Sequence, residues 1–414
     1  MFPEEPGNET RRPKGNVDGA RFRLRRVAPP GSAGSAGDAG ESVPEVDAAV
    51  RAAIREGGGR ITYARFLEIC LYDPAHGYYA SFGPSVADGL KPPATDYFTS
   101  VDLHPAFGRL LAREAAVHLE RVLASGARRA WLVEAGAGRG LLARDVLQGL
   151  ALERPDLAAR VCYLIVEPNA GWVEVQRRNL LPEFEGAVEW VRSRGTALPL
   201  RGVRGVFLSN ELFDALPFHV LEEGPPLGEV YVTEQGGSLA EEGGPLSDPR
   251  LAPGDGGGAF ALSPGQRLEV SPSAAAMAES TAAALTLGGI IAVDYGDEAL
   301  ALYDAKKRPE GTMRCFFRHR LNDEPLRRLG RQDITAHVDF SGLARAFERG
   351  GAKVRRLETQ RDFLHRHGLD AVLAKLEADR GELPREVYVR HRRALEALAD
   401  PKGLGRNVVL TAWR

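Results

Sequence analysis

The chain has 414 residues, of which 43% are hydrophobic and 27% are charged, and its formal net charge is −2. These values are ordinary for a globular protein of one elaborated domain or two domains. The small net charge provides no field favouring nucleic acid or acidic membranes. The chain contains no run of 18 apolar residues, which is the length that a transmembrane helix needs, so we expect no membrane insertion.

Three cysteines are spread along the chain, at Cys70, Cys162 and Cys315. Their odd number and the lack of a Cys-x-x-Cys pair argue against a disulfide framework and against a zinc site. We therefore expect a reducing compartment and no bound metal.

The first 46 residues are rich in Gly, Pro, Ser, Ala and Arg. Such a segment cannot offset the entropy of ordering by burial, so residues 1–46 are predicted to form a disordered tail. Residues 11–26 are rich in arginine, as mitochondrial transit peptides are, but the acidic residues around them argue against one. We favour a bacterial cytoplasmic protein, with the mitochondrial matrix as the alternative.

Helical patterns follow over residues 47–128, which we predict to be an N-terminal helical subdomain with a lid. Asp47 is a candidate N-cap of the first helix and Thr62 of the second. The second helix places these apolar residues on one face: Tyr63, Phe66, Leu67, Cys70 and Leu71. The aromatic segment 73–79 is either a lid over a ligand or a packing element, and another helix is predicted over 104–123.

Residues 129–414 alternate between apolar runs and helical patterns. Five runs predict strands: Ala130–Glu134, Val161–Glu167, Val188–Val191, Gly205–Asn210 and Gly289–Asp294. Continuous Val, Ile and Leu runs indicate strands buried on both faces, so we predict an α/β fold with a doubly wound, mostly parallel sheet. Candidate closing strands at Lys353–Glu358 and Asn407–Trp413 make the sheet seven-stranded.

An insertion, residues 218–280, separates the fourth and fifth of these strands. Three segments in it predict additional antiparallel strands: Phe218–Glu222, Glu229–Thr233 and Arg267–Val270. The segment Glu234–Gly258 is rich in glycine and acidic residues, and we predict that it is a mobile loop.

A glycine-rich turn follows the first strand of the sheet. Glu134 precedes Gly136, Gly138 and Gly140, and a helical pattern starts at Leu141. Such a turn brings backbone close to a nucleotide-like ligand, although a glycine-rich turn without a ligand is about as common. The dinucleotide-binding form of this turn needs Gly or Ala at position 141, where this chain has Leu141. A carboxylate before the glycines suits the cationic S-adenosylmethionine (SAM) better than a pyrophosphate.

Polar or acidic residues end four of the five predicted strands, at the edge where doubly wound sheets bind ligands. They are Glu134, Glu167, Asn210 with Glu211, and Asp294. Glu167 is suited to accept the hydroxyl groups of an adenosine ribose. We favour this interpretation over a solvated strand end because the glycine-rich turn is also present.

The sequence resembles the MidA-like methyltransferases, SAM-dependent enzymes that include the mitochondrial complex I assembly methyltransferase acting on arginine. The resemblance runs from about Ile61 to the C-terminus. The matching segments are Tyr63–Tyr79, Tyr97–Ala112, Glu134–Gly140, Glu167–Pro168, Ser209–His219, Val293–Gly296, Gly311–Arg314 and Asp333–Phe340. The chain departs from the family pattern at Ala137, where proline is usual, and at Asp102, where the family has glutamate.

The resemblance implies SAM binding across the ends of the first, second and fourth strands. It implies methyl transfer to an arginine of a protein substrate, which for this family is a subunit of NADH:quinone oxidoreductase. The implied cofactor-binding residues are Glu134, Gly136, Gly138, Gly140, Glu167, Asn210, Thr99 and Asp102. No nucleic-acid partner is expected, and the oligomeric state stays open.

Glu211 and Asp214 are the best candidates for catalysis, because they follow the fourth strand and lie three residues apart. Paired carboxylates can hold a guanidinium and take up its proton, and helix capping is the alternative. His337 with Asp339 is a second candidate pair, catalytic or structural. The segment Asp294–Gly296 forms either the far wall of the pocket or a turn.

Two other functions stay open at this stage. One is a SAM-dependent methyltransferase that acts on a small molecule or another side chain. The other is an assembly protein that keeps the SAM fold without turnover, against which the retained acids and glycines argue.

Overall fold

The computed structural model describes residues 42–81, 99–180, 184, 186–193, 195–252, 262–318 and 320–414. The predicted tail lies outside the described residues up to position 41. The first helix begins at Pro44, with Val43 as its N-cap, so the prediction that Asp47 caps it is wrong. Proline at the first helical position has its φ preset for the helix, and Asp47 instead pairs with Arg51 one turn later at 2.8 Å.

The N-terminal region is mostly helical. Its elements are α1 (Pro44–Glu56), β1 (Arg60–Thr62), α2 (Tyr63–Tyr72), α3 (Tyr78–Ser81), α4 (Ser100–Leu103) and α5 (Ala106–Ala124). The Thr62 hydroxyl accepts a hydrogen bond from the Arg65 amide at 3.2 Å, which confirms Thr62 as the N-cap of α2. The predicted apolar face of α2 is buried.

The β/α alternation comes next. It consists of β2 (Ala130–Ala135), α6 (Leu141–Glu153), α7 (Pro155–Ala158), β3 (Val161–Val166), α8 (Ala170–Leu180), β4 (Val188–Val191) and β5 (Val203–Asn210). The insertion adds β6 (His219–Glu222), β7 (Gly228–Gln235), β8 (Ser238–Gly244) and β9 (Arg267–Val270). The chain returns to the main sheet through α9 (Pro272–Ala284) and β10 (Leu285–Asp294).

The last third of the chain carries short strands, further helices and the last two strands of the main sheet. The elements are β11 (Gly296–Asp297), α10 (Ala299–Leu302), β12 (Arg314–Phe317), β13 (Arg320–Asn322), β14 (Asp333–Thr335), β15 (Val338–Asp339), α11 (Phe340–Arg349), β16 (Lys353–Thr359), α12 (Gln360–Arg366), α13 (Leu369–Ala378), α14 (Arg385–Leu398) and β17 (Val408–Trp413).

The central sheet has seven strands in the order β16-β17-β10-β5-β2-β3-β4. β17 runs antiparallel to both of its neighbours, and the pairs from β10 to β4 are parallel. Apolar side chains of α5 and α6 cover one face, and those of α9 and α11 cover the other. The predicted doubly wound, mostly parallel α/β fold is confirmed.

The order of the strands reverses between β2 and β5, because β2 lies between β3 and β5. In open α/β sheets, this reversal leaves a crevice at the carboxyl ends of the strands where ligands bind. The fold therefore places Glu134, Glu167 and Asn210 around one crevice.

The insertion forms a second, antiparallel sheet with a strand from the N-terminal region. Its order is β1-β7-β6-β9, with β8 paired to β7. Side chains of α1 and α2 pack against this sheet and against the segment that carries β12 and β14. The predicted N-terminal subdomain and the insertion thus share one hydrophobic core beside the main sheet.

The prediction of a mobile loop over Glu234–Gly258 is wrong for the part that the structure describes. β7 and β8 pair over seven residues across a tight turn at Gly236 and Gly237, which have φ values of 58° and 80°. Two glycines at positive φ suit a two-residue hairpin turn. The acidic side chains of β8 find partners, since Glu241 pairs with Arg267 at 2.7 Å.

All three cysteines are free and buried. Among the residues that the structure describes, no helix is both long and apolar enough to cross a membrane.

Candidate functional site

The glycine-rich turn after β2 has a backbone that only glycine adopts easily. Gly136, Gly138 and Gly140 have φ values of 70°, 50° and 75°. A Cβ at Gly140 would lie 3.3 Å from Gln176, and one at Gly136 would lie 2.9 Å from the Leu212 side chain. A Cβ at Gly138 would meet no described atom within 4 Å. The outer two glycines are therefore needed for packing, whereas Gly138 borders open space.

Glu134 is a buried carboxylate at the end of β2, with 2% of its surface exposed. The Tyr163 hydroxyl of β3 donates a hydrogen bond to it at 2.7 Å. Burial raises the pKa of Glu134 to about 7, and the Tyr163 hydrogen bond only partly opposes this. A cation at this position would stabilise the ionised carboxylate.

Glu167 follows β3 and is also buried. It accepts hydrogen bonds from the Asn169 amide and from the Gln176 side chain, both at 2.9 Å. Burial raises the pKa of Glu167 to about 7. A ligand with two hydroxyl donors would supply the hydrogen bonds that this carboxylate lacks.

Gln176 of α8 lies at the site although no sequence pattern predicts it there. The same Nε2 atom donates to the Gly138 carbonyl and to Glu167, both at 2.9 Å, and Oε1 accepts from the Trp190 indole. Gln176 thus joins the glycine-rich turn to the acid of the next strand. A polar residue on an otherwise amphipathic helix gave no local signal of this role.

Asn210 ends β5 at the opposite side of the crevice. Its Oδ1 atom is buried and has no hydrogen-bond partner among the described residues, while its Nδ2 atom lies 3.5 Å from the Glu211 carboxylate. Glu211 has a φ of 49°, unusual for a residue with a side chain, and its amide donates to the Val293 carbonyl at 2.9 Å. Glu211 is therefore held at a sharp turn directly after β5, beside the end of β10.

Thr99 is the N-cap of α4 and forms a capping box with Asp102 of this helix. The Asp102 carboxylate accepts hydrogen bonds from the Thr99 amide and hydroxyl at 3.2 and 3.0 Å, and it also pairs with Arg139 of the glycine-rich turn. The structure places Asp102 next to the glycine-rich turn, where its carboxylate bonds to other residues of the protein. A direct contact of either residue with the cofactor stays a prediction.

The donors and acceptors around the crevice fit SAM. Buried Glu134 suits the ammonium group, and Glu167 suits the ribose hydroxyls. The turn at Gly138 allows close approach of backbone, and the Asn210 Oδ1 atom offers an unused acceptor. The predicted cofactor acids and glycines therefore meet in one place.

Asp294 at the end of β10 holds the turn that follows β5. Its Oδ2 atom accepts hydrogen bonds from the backbone amides of Leu212, Phe213 and Asp214 at 3.1, 2.9 and 3.4 Å. It is fully buried, and burial raises its pKa to about 8, with the charge of Glu211 acting in the same direction. Asp294 therefore positions the turn after β5. The sequence predicted only that the segment Asp294–Gly296 forms a pocket wall or a turn.

Asp214 is buried with only one carboxylate oxygen occupied. The Tyr295 hydroxyl donates to its Oδ2 atom, and its Oδ1 atom has no partner in the described part of the chain. Burial raises the pKa of Asp214 well above its usual range, and the charge of Asp294 adds to this. Glu211 behaves similarly, since burial and then the charge of Asp214 raise its pKa to about 8.

His337 and Asp339 do not act as a pair. Asp339 caps α11, where its carboxylate accepts from the Gly342 amide at 3.0 Å. The His337 ring packs edge-on against Tyr295 with centroids 5.5 Å apart, and burial lowers its pKa to about 4. The Asp339 carboxylate is engaged at the start of α11 and the His337 ring lies against Tyr295, so each side chain has its own partner.

Tyr79 of the predicted lid segment and Tyr72, which ends α2, contact residues that follow two strands of the site. The Tyr79 carbonyl on α3 accepts hydrogen bonds from Asn169 at 3.0 Å and from the Trp172 indole at 3.3 Å. The Tyr72 hydroxyl donates to the Ala215 carbonyl at 2.9 Å. The aromatic residues therefore pack and also join the ends of β3 and β5.

Comparison with known proteins agrees with this site. The profile of a family described as S-adenosyl-L-methionine-dependent methyltransferase matches residues 110–357, more than half of the chain. Human mitochondrial protein arginine methyltransferase NDUFAF7 is 28% identical over 376 residues, 84% of this chain and 78% of the relative. The Drosophila melanogaster homologue is also 28% identical, over 84% of this chain and 80% of its own length.

Two solved structures from Burkholderia thailandensis have the same fold. One, bound to S-adenosyl-homocysteine, has a TM-score of 0.74 and 29% identity, and the match covers 89% of this chain and 92% of that protein. The other, a native crystal structure, has a TM-score of 0.74 and 27% identity over 89% and 91% of the two chains. From the family match and this fold, the chain belongs to the MidA-like family of SAM-dependent methyltransferases.

Proposed function

We propose that the protein transfers a methyl group from SAM to a guanidinium nitrogen of an arginine in a protein substrate. The observation that carries this proposal is the pair of acids, Glu211 and Asp214, which follow β5 directly beside the cofactor crevice. The names of the human and Drosophila relatives, which state protein arginine methylation, support the same acceptor.

Asp214 is suited to hold the acceptor. A guanidinium is protonated at any ordinary pH, and a carboxylate oxygen accepts charge-assisted hydrogen bonds from its N–H groups. Tyr295 occupies one oxygen of Asp214 and leaves the buried Oδ1 atom for a donor. SAM supplies a methyl group activated by its sulfonium, so the protein mainly has to hold the accepting nitrogen in line with it.

Glu211 is suited to take up the proton that the guanidinium nitrogen loses. Its pKa of about 8 makes it a stronger base than an exposed glutamate. The positive charge of the acceptor favours the ionised form of Glu211 before transfer. His337, neutral because of its low pKa, contacts the ring of Tyr295, and we assign it to the wall of the acceptor pocket.

The acceptor protein that we propose is a subunit of NADH:quinone oxidoreductase, from the resemblance to the complex I assembly methyltransferase. The eukaryotic relatives are named mitochondrial, whereas the solved structures come from a bacterium. For this chain the bacterial cytoplasm stays a prediction, with the mitochondrial matrix as the alternative.

Transfer of a labelled methyl group from SAM to host proteins tests this function. Proteins from cells with and without the gene are compared by peptide mass spectrometry, and we expect an arginine that is methylated only when the gene is present. Glu211→Gln should abolish transfer, and Glu189→Gln, at an exposed position on β4, is the matched control. A methyl group on a small molecule or another side chain contradicts the arginine proposal, and absence of SAM binding contradicts catalysis altogether.

A further inference from the structure

Asp333, the first residue of β14, is a further carboxylate near the end of β5, in addition to Glu211, Asp214 and Asp294. It is buried, with 3% of its surface exposed. The segment after it is joined to the acidic turn, because the Ala336 amide donates to the Asp214 carbonyl at 3.1 Å. The charge of Asp333 raises the pKa of both Glu211 and Asp214, so Asp333 shares the electrostatic environment of these two acids.

Tyr79 joins Asp333 to the cofactor side of the site. Its hydroxyl donates to the Asp333 carboxylate at 2.7 Å. Its carbonyl accepts from the Asn169 side chain at 3.0 Å, and the Asn169 amide donates to Glu167 at 2.9 Å. Asn169 and Tyr79 therefore link Glu167 to Asp333, each through one backbone and one side-chain hydrogen bond.

Two buried acceptors near Asp333 lack donors within the described residues. One is the Asp214 Oδ1 atom, in a residue that is 4% exposed, and the other is the Thr335 hydroxyl, in a residue that is 2% exposed. Thr335 lies two residues after Asp333 on β14, so the two side chains share a face of the strand. Buried polar atoms in native proteins nearly always have partners, so these positions indicate a ligand that donates several hydrogen bonds.

A guanidinium has the required shape and charge. It carries five N–H donors in one plane, and a single carboxylate engages only one edge of it. Three carboxylates from two different segments can hold a second edge as well, which leaves one nitrogen to accept the methyl group. A compact ammonium group presents three donors around one point and would leave part of this acceptor set unused.

We propose that Asp333 binds the acceptor guanidinium together with Glu211 and Asp214, and that Tyr79 positions Asp333. This inference rests on the proposed function, since it takes arginine as the acceptor. No bond to Asp333 forms or breaks during transfer. Tyr79 also contacts the segment after Glu167 through its carbonyl.

Steady-state kinetics of the full chain test the proposal, with SAM and a peptide that carries the arginine found methylated by mass spectrometry. Asp333→Asn keeps the size of the side chain and removes its charge. We expect the KM for the peptide to rise by about tenfold or more, with the KM for SAM within about twofold of wild type.

Tyr79→Phe is the second variant, because it keeps the ring and the carbonyl contacts and removes only the hydroxyl. The KM for the peptide should rise by a smaller factor, about threefold to tenfold. In the double variant the two effects should not multiply, since Tyr79 acts through Asp333. Tyr388→Phe is the matched control, since it removes a hydroxyl that donates to Glu377 on the surface helices, and its peptide KM should equal that of wild type.

The outcomes separate this inference from the proposed function. If the wild-type protein methylates no arginine, the proposed function is wrong. If the wild type methylates the peptide while Asp333→Asn and Tyr79→Phe keep its peptide KM, the role of Asp333 is wrong and the function stands. A simple loss of folding would lower the thermal midpoint and the amount of active enzyme without changing either KM.

Discussion

Gln176 donates a hydrogen bond to the Glu167 carboxylate at 2.9 Å, and the same nitrogen donates to the Gly138 carbonyl. This side chain joins the glycine-rich turn to the acid on the neighbouring strand. The geometry of the cofactor crevice therefore depends on a residue from α8 as well as on the strand ends.

Gln176→Ala should weaken SAM binding. The change removes three hydrogen bonds of a fully buried side chain and leaves the Trp190 indole without its acceptor. We expect a loss of roughly 1–3 kcal/mol of stability and about tenfold in SAM affinity, measured by denaturation and calorimetry. The control is Gln266→Ala, a buried glutamine of the insertion that donates to the Tyr303 carbonyl. Equal SAM affinity in both variants would contradict the role of Gln176.

Alanine substitutions in the glycine-rich turn should separate the effect of each glycine on stability from its effect on SAM affinity. Gly138→Ala puts a side chain at a φ of 50° facing open space, whereas Gly140→Ala places a Cβ 3.3 Å from Gln176. The left-handed backbone alone costs roughly 1–2 kcal/mol. Gly126→Ala, at a φ of 91° and also without close atoms, measures that cost away from the site.

Gly138→Ala should therefore match Gly126→Ala in stability and lose SAM affinity, while Gly140→Ala should be the least stable of the three. Chemical denaturation and calorimetric titration with SAM measure the two effects. SAM affinity unchanged in Gly138→Ala would show that this glycine does not face the cofactor.

The cofactor site should be pH-dependent. Glu134 and Glu167 both have a pKa raised to about 7 by burial, compared with about 4.3 for an unfolded glutamate. With raised folded pKa values, their contribution to stability is fully present below about pH 4.3 and is lost as the pH rises through about 7. A ligand that favours the ionised carboxylates binds more tightly over the same rise.

Thermal midpoints with and without S-adenosyl-homocysteine, recorded from about pH 6 to about pH 8, measure this linkage. We expect the free protein to lose stability and the ligand-induced increase in midpoint to grow with pH. Glu134→Gln should reduce the growth of that increase. An increase that is constant over this range would contradict the assignment of both acids.

Asp294→Ala should unfold the turn that carries Glu211 and Asp214, although Asp294 itself contacts neither substrate. It removes the acceptor of three backbone amides, from Leu212 to Asp214, and leaves them buried. A loss of roughly 2 kcal/mol or more is expected, with a large fall in methyl transfer at saturating SAM. Asp297→Ala, which removes an ion pair with Arg308, is the control. Full activity in Asp294→Ala would show that the turn does not need this carboxylate.

Much of the cofactor side was predictable from local patterns. Glu134, the three glycines and Glu167 stand at the ends of apolar runs, and parallel strands bring their carboxyl ends to one edge. The helix cap at Thr62 and the burial of one face of α2 were predictable for the same reason. These features depend on residues within a few positions of one another.

The residues that contact this site come from distant segments, so local sequence patterns do not predict them. Tyr79 and Asp333 are 254 positions apart, and β1 pairs with β7 of the insertion. The hairpin of β7 and β8 was missed because glycine and acidic residues disfavour strands locally, while pairing across the turn and the ion pair of Glu241 with Arg267 stabilise them.

The sequence alone predicted the α/β class, the glycine-rich turn and the acids at the strand ends, because each follows from hydrophobic period and local backbone preference. Folding determined which carboxylates meet, how Asp294 holds the turn after β5, and how far burial shifts their pKa values. Those properties depend on the exclusion of water and on donors from remote segments, and both arise only when the sheet, the insertion and the N-terminal helices pack together.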